Sequence, residues 1–219
     1  MLYLFRWKIM KNILITWTSK WIWKYLLDGL KINNKIIWIS RTKSDESGFK
    51  QFNIDLTSYS LFNKVINYLE QEKIVLDSII INAGLWHFWK YEEGNSEKYK
   101  EIINLNLLSP ILFIKELESY LSDKAKIIFI WSIISKKFMK YWAVYQASKF
   151  WLRWFAWALK NEMKWKWIHI INPRIVDTSF HDEAEINIEM WNRETKLDDI
   201  LEVVKLINEW KENRFEIDL

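Results

Sequence analysis

Short β-branched runs alternate along this chain with stretches whose apolar positions recur every three or four residues. Period two or continuous apolar character over four to eight residues indicates strands, and a period near 3.6 indicates helices. This pattern predicts strands near 12–16, 35–40, 51–54, 78–82, 126–131, 168–172 and 214–218. It predicts helices near 21–33, 58–71, 97–121, 142–163 and 195–210. Alternating strands and helices build a parallel sheet covered on both faces. The helix from Glu97 to Tyr120 has an apolar stripe, read most simply as a core face. The two prolines, Pro110 and Pro173, fit element boundaries. The longest irregular stretch runs from Asp177 to Lys196, after the sixth strand. Ligands sit beyond the carboxyl ends of strands in open α/β sheets, so 178–196 is a candidate substrate lid.

Composition narrows the class. A chain of 219 residues and 26.9 kDa, half hydrophobic and 27% charged, fits one globular domain spanning 1–219. The net charge of +4 is mild and the basic residues are dispersed, which argues against a nucleic-acid role. With no cysteine there is no disulfide framework or thiolate metal site, and a cytoplasmic location is expected. Apolar runs such as Ile127–Ile134 are far too short to span a membrane as helices. The opening Met1-Leu2-Tyr3-Leu4-Phe5-Arg6 does not follow the pattern of a secretory signal. Met10 directly precedes the first strand and is a candidate initiator, which would place residues 1–9 outside the native chain.

One eight-residue segment carries the strongest signal. Thr16-Trp17-Thr18-Ser19-Lys20-Trp21-Ile22-Trp23 follows the first strand and opens the first helix, where a glycine-rich phosphate loop belongs. Tryptophan stands at all three glycine positions, so that glycine at 17, 21 and 23 would give T-G-x-x-x-G-x-G. The chain holds 16 Trp and 4 Gly, whereas average usage of about 7% would give roughly 15 glycines. The expectation is that most Trp codons are UGA, read as glycine in the source; richness in Lys, Ile and Asn fits an AT-rich genome. The alternative is a genuinely Trp-rich protein whose nucleotide site is filled with indoles.

Tyr145-Gln146-Ala147-Ser148-Lys149 is the second constellation. Residues four apart share a helix face, so Lys149 can lie beside the Tyr145 phenol and favour its ionised form. Tyr120 and Lys124 have the same spacing, but only Tyr145 has a strand-end serine, Ser132, thirteen residues earlier. Asn82-Ala83-Gly84 follows the fourth strand, Asn106 lies in a helix, and Asn172-Pro173-Arg174-Ile175-Val176-Asp177-Thr178 follows the sixth strand.

In this order the motifs resemble the short-chain dehydrogenase/reductase family over nearly the whole chain. The resemblance implies a Rossmann-type, doubly wound α/β sheet of about seven strands, and an oxidoreductase moving hydride between a nicotinamide cofactor and a small carbonyl or alcohol. It implies catalytic roles for Ser132, Tyr145, Lys149 and Asn106: substrate contact, proton donation, support of the tyrosine and the ribose, and support of a relay water. Cofactor contacts are implied for Thr16, Trp17, Ser19, Lys20, Trp21, Ile22, Trp23, Asn82, Ala83, Gly84, Lys149, Pro173 and Thr178. A homodimer or homotetramer is also implied, with the Glu97–Tyr120 and Tyr145 helices as one potential interface. Arg174 stands where the family has glycine, and UGA misreading does not explain an arginine.

Trp151 and Trp154 occupy positions where the family has small residues, Trp165 and Trp167 mark a turn, and Trp86 and Trp89 follow Asn-Ala-Gly. The sequence leaves Trp7, Trp157, Trp191 and Trp210 undecided. The second strand ends Ile39-Ser40-Arg41-Thr42, with no acid before Asp45. An acid there binds the ribose 2′-OH of NAD, whereas arginine accommodates a 2′-phosphate, so Arg41 with Lys20 favours NADP(H). The competing use of both is as solvated basic residues. Asp55 is either an adenine contact or part of a surface turn. His87, His169 and His181 lack metal-ligand spacing, and no His–acid pair supports Ser135 or Ser148 as a nucleophile. A catalytically silent nucleotide-binding regulator is the alternative on the same fold.

Overall fold

The computed structural model describes residues 10–16, 22–44, 47–85, 87, 89–174, 176 and 195–219, with backbone alone at 22–24. Seven strands form one all-parallel sheet in the order β3-β2-β1-β4-β5-β6-β7. They are β1 (Lys11–Thr16), β2 (Asn34–Ser40), β3 (Lys50–Asn53), β4 (Leu76–Ile81), β5 (Leu121–Ile130), β6 (Trp167–Asn172) and β7 (Glu216–Asp218). Among the described residues six α-helices lie between them: α1 (Ile22–Leu30), α2 (Phe62–Gln71), α3 (Ser96–Ile103), α4 (Ser109–Leu117), α5 (Ala143–Glu162) and α6 (Leu197–Asn208). This is the parallel sheet covered on both faces expected from the alternation of patterns, with the doubly wound strand order that the motif resemblance implies.

Successive strand residues point to opposite faces, and both faces are apolar, so the central strands read as continuous hydrophobic runs. Leu14, Ile37, Ile79, Ile127, Phe129 and Ile170 pack with Val65, Leu69, Phe113, Leu117 and Leu152 of α2, α4 and α5. Ile13, Ile15, Ile36, Ile80, Ile128 and Ile171 pack against Leu26 and Leu27 of α1 and Ile200 and Val204 of α6. Gly29 lets α1 approach α6: a Cβ there would meet Leu201 Cδ2 at 2.4 Å.

The helix expected over 97–121 is interrupted. Between α3 and α4 the backbone widens into a π turn over Asn104–Leu108, and a 3₁₀ turn over Glu118–Tyr120 precedes β5. Pro110 has no amide hydrogen to return to the Asn106 carbonyl four residues earlier, so a regular α ladder fails there. Tyr120 and Lys124, the spacing control, fall on a 3₁₀ turn and on β5, and the Tyr120 hydroxyl donates to Glu70 at 2.8 Å.

Among the described residues other than glycine, φ is positive at Lys73, Tyr141 and Trp210. Trp210, with φ of 63°, follows the cap of α6, and Lys211 N–H donates back to the Leu206 carbonyl at 2.8 Å. That is the left-handed helix stop that glycine ordinarily supplies. The turn containing Trp165 and the start of β6 at Trp167 have ordinary backbone, so the expectation of glycine there has no conformational requirement behind it.

Candidate active site

Strand order reverses beside β1, whose neighbours are β2 and β4, and the carboxyl ends of these strands open the crevice where α/β sheets bind ligands. Thr16 ends β1 in a buried position, and its Oγ1 accepts from the Asn82 N–H at 3.3 Å and the Ala83 N–H at 3.5 Å. This contact locks the segment after β4 to the end of β1. Gly84 then passes close to the polar centre: a Cβ there would lie 3.4 Å from Lys149 Nζ and 3.5 Å from Asn106 Oδ1. Thr16 and the segment 82–84 thus lie at the carboxyl ends of β1 and β4, the place where sheets of this kind hold a nucleotide. Trp17, Ser19, Lys20, Trp21 and Thr178 lie outside the described residues, as do the side chains of Ile22 and Trp23 and nearly all of the expected lid at 178–196.

Helix α5 carries Tyr145, Ser148 and Lys149 on its buried side, and all three are almost inaccessible. Ser132 lies just past β5, where its hydroxyl caps a 3₁₀ turn by accepting from Ile134 N–H at 3.2 Å. The Ser132 side chain also hydrogen-bonds the Tyr145 phenol. Asn106, in the π turn, clasps Leu85 from both sides: Oδ1 accepts from its N–H and Nδ2 donates to its carbonyl, each at 2.7 Å. Its other amide hydrogen goes to Ser148 Oγ at 3.0 Å, and Ser148 donates to the Tyr145 carbonyl at 2.7 Å. Three of the four expected catalytic residues, Ser132, Tyr145 and Asn106, are thus joined by hydrogen bonds, and Lys149 lies one turn along the same helix. Ser148 is the link that sequence reasoning considered only as a nucleophile.

Electrostatics here is governed by burial. Desolvation pushes the Tyr145 phenol well above its ordinary value, opposed by the hydrogen bond from Ser132. Desolvation also pulls the Lys149 ammonium down to about 7. From their spacing alone, the Lys149 charge is expected to lower the Tyr145 pKa. In the structure both groups are taken out of water, so the cation is itself weakened and desolvation of the phenolate dominates. Lys149 Nζ lies 5.3 Å from the Tyr145 ring centroid and only 3.7 Å from that of Trp131.

The remaining expected contacts occupy the rim. Arg41 is exposed immediately after β2, in a turn held by Gln51 Nε2, which donates to Ser40 Oγ at 2.9 Å and to the Thr42 carbonyl at 2.7 Å. Asp55 Oδ1 accepts from both the N–H and hydroxyl of Thr57, at 2.9 and 2.7 Å, so its turn-forming role is present. Pro173 is buried and its carbonyl accepts from Ile133 N–H at 3.0 Å, tying the segment after β6 to that after Ser132. Arg174 is exposed, and its N–H donates to Thr195 Oγ1 at 2.9 Å; the link closes the base of the 175–194 segment without requiring glycine. Beside Tyr145, a narrow cleft is lined by His87, Trp89, Tyr91, Tyr99, Tyr141 and Trp142.

A short chain dehydrogenase profile matches residues 31–188. An uncharacterized oxidoreductase of Saccharomyces cerevisiae is 24% identical over 191 residues, covering 81% of this chain and 75% of the relative. An uncharacterized oxidoreductase of Methylorubrum extorquens is 30% identical over 105 residues, covering 47% of this chain and only 42% of the relative. A short chain dehydrogenase family protein of Francisella tularensis superposes with a TM-score of 0.83 at 24% identity, over 96% of this chain and 97% of that one. With a family match across most of its length and the matching parallel sheet, this chain belongs to the short-chain dehydrogenase/reductase family of oxidoreductases.

Proposed function

We propose that this chain, with glycine at 17, 21 and 23, is an NADP(H)-dependent reductase of small carbonyl compounds. The observation that carries this reading is the convergence of Ser132, Tyr145 and Lys149, with Asn106 coupled to them through Ser148. When bound, a reduced nicotinamide cofactor supplies the hydride, and the protein supplies orientation and proton handling.

Tyr145 is the proton donor. Burial keeps its phenol protonated at neutral pH, the form required to deliver a proton to a developing alkoxide. Ser132 already bonds the phenol oxygen and is placed to share the substrate oxygen with it. Lys149, balanced near neutrality, can gain or give a proton behind Tyr145 and hydrogen-bond a ribose hydroxyl. Asn106 fixes the Leu85 backbone and, through Ser148, the α5 turn bearing Tyr145, alongside its proposed support of a relay water.

Thr16, Asn82, Ala83 and Gly84 form the proposed floor of the cofactor site, with Pro173 and Thr178 at its far side and the 178–196 segment as lid. Arg41 favours NADPH by meeting the 2′-phosphate, with Lys20 as second cation, and Asp55 is proposed beside the adenine. Among the described residues no helix is long and apolar enough to cross a membrane. A cytoplasmic location and a homodimeric or homotetrameric assembly complete the proposal.

The test is oxidation of NADPH, followed by its absorbance, with a panel of aldehydes and ketones and the purified glycine-bearing chain. Turnover of a panel member supports the reading. Cofactor binding without any turnover supports the silent regulator.

A further inference from the structure

We infer that the cleft beside Tyr145 is a slot for a flat, uncharged ring, and that the substrate is an aromatic aldehyde or ketone. This rests on the reductase reading of the same site. Rings make up most of the cleft wall, His87, Tyr91, Tyr99 and Tyr141 together with Trp89 and Trp142, and the rest is aliphatic apart from Tyr145 itself. The described residues that line it include no lysine, arginine, aspartate or glutamate, so nothing there offsets the desolvation of a charged substrate.

The walls are held in place. Tyr91 and Tyr99 stack at 5.6 Å with an interplanar angle of 9°, and the Tyr99 hydroxyl donates to the Tyr91 carbonyl at 2.8 Å. Tyr141 adopts φ of 69°, a conformation costly for a bulky residue, while its carbonyl accepts from Trp89 N–H at 3.3 Å. Backbone strain of this kind persists where surrounding structure imposes it, and here it sets a ring at the mouth of the site.

The two indoles show what the slot accepts. Trp89 stacks on His87 at 4.5 Å with an angle of 24°, and the Trp142 ring lies 5.4 Å from that of Tyr145. Glycine at 89 and 142, as the codon reading implies, would vacate planar space between His87 and the phenol. A planar substrate ring in that space gains the stacking on His87 that Trp89 now makes, and a tilted contact with the Tyr145 ring in place of that of Trp142, whose interplanar angle is 55°. Tyr145 gives a proton to the carbonyl oxygen as the carbonyl carbon takes the hydride that a bound reduced nicotinamide would supply, leaving an arylcarbinol and the oxidised cofactor. Solvent returns the proton to Tyr145.

The experiment compares acetophenone with cyclohexyl methyl ketone, two methyl ketones of similar size; conjugation makes the acetophenone carbonyl the less electrophilic, so a preference for it reports contact with the flat ring. It uses the full chain with glycine at 17, 21, 23, 89 and 142. The expected result is a kcat/KM preference of about tenfold or more for acetophenone, the size that ring contacts of ordinary strength supply. Tyr141→Asn, which tolerates positive φ, and Tyr99→Leu should each erode that preference, lowering kcat/KM for acetophenone by more than for the cyclohexyl ketone. Equal rates for both ketones would overturn the aromatic slot and leave the reductase reading intact. If neither ketone nor any other carbonyl is reduced, the reductase reading fails. Saturation-transfer NMR of acetophenone with the apo chain then decides the slot: transfer lost in Tyr99→Leu upholds it, and no transfer overturns it.

Discussion

Lys149 is held at both ends by Trp131: its Nζ lies 3.7 Å from the centroid of the indole ring, and the indole Nε1 donates to its carbonyl at 2.9 Å. A buried cation over an indole face is favoured by the ring quadrupole, so this contact competes with any ligand for the ammonium. Glycine at 131 would remove both contacts and leave Lys149 facing Tyr145 and Gly84. The tryptophan question therefore reaches the catalytic centre as well as the phosphate loop.

Tyr145→Phe, made in the glycine-bearing chain, should abolish carbonyl reduction while NADPH binding stays near wild type. A positioned acid contributes roughly 10²–10⁴-fold. Single-turnover measurements that leave more than about a tenth of the wild-type rate would remove the phenol from the mechanism.

Arg41→Ala should narrow or reverse the preference for NADPH. A charge-assisted arginine–phosphate contact is lost only with the phosphorylated cofactor. Kinetic constants for both cofactors decide it; an equal loss for each would mean that Arg41 supports the loop without reading the 2′-phosphate.

The chain as written should bind neither cofactor, whereas glycine at 17, 21 and 23 should restore binding. A left-handed position costs a side chain roughly 1–2 kcal/mol. Overpacking by indoles adds roughly 1–3 kcal/mol each. NADPH fluorescence titration of both versions is the measurement. Micromolar affinity in the tryptophan version would defeat the codon reading.

Trp210→Gly should be more stable than Trp210→Ala by about 1 kcal/mol. Both variants lose the contact of Lys126 Nζ, 3.3 Å from the ring centroid, so the difference isolates the backbone at φ of 63°. Paired denaturant unfolding curves measure it; equal midpoints would show that this position does not prefer glycine.

Stability should rise with pH between about 7 and 10.5 through Lys149. Its folded value is about 7 against an ordinary 10.5, so in that window the unfolded chain binds the extra proton. Lys126, lowered by burial to about 8, acts in the same direction, whereas Tyr145, raised by burial, removes stability above pH 10. Lys149→Met should flatten the rise by an amount on the order of a few kcal/mol. Urea unfolding at pH 7, 8 and 9 tests this, and an unchanged slope would place Lys149 in contact with water.

The sequence by itself determined the alternation of strands and helices, because burial against both sheet faces writes a periodic pattern into local sequence. It also placed Thr16, Asn82 and Ser132 at or just beyond the ends of strands, where the structure has them. It did not reveal the π turn at Asn104–Leu108, although Pro110 was its visible signal, because a continuous apolar stripe concealed the break. Tertiary structure alone showed that Ser148 joins Asn106 to Tyr145, since that link spans 42 residues of chain. It alone set Trp210 and Tyr141 in the left-handed region, through the stop of α6 and the loop beside the aromatic cleft. The balance between Lys149 and Tyr145 was likewise undecidable from their spacing. Four residues on a helix bring two groups together, but how far water is excluded from them depends on β5, the π turn and α5 packing around the same point.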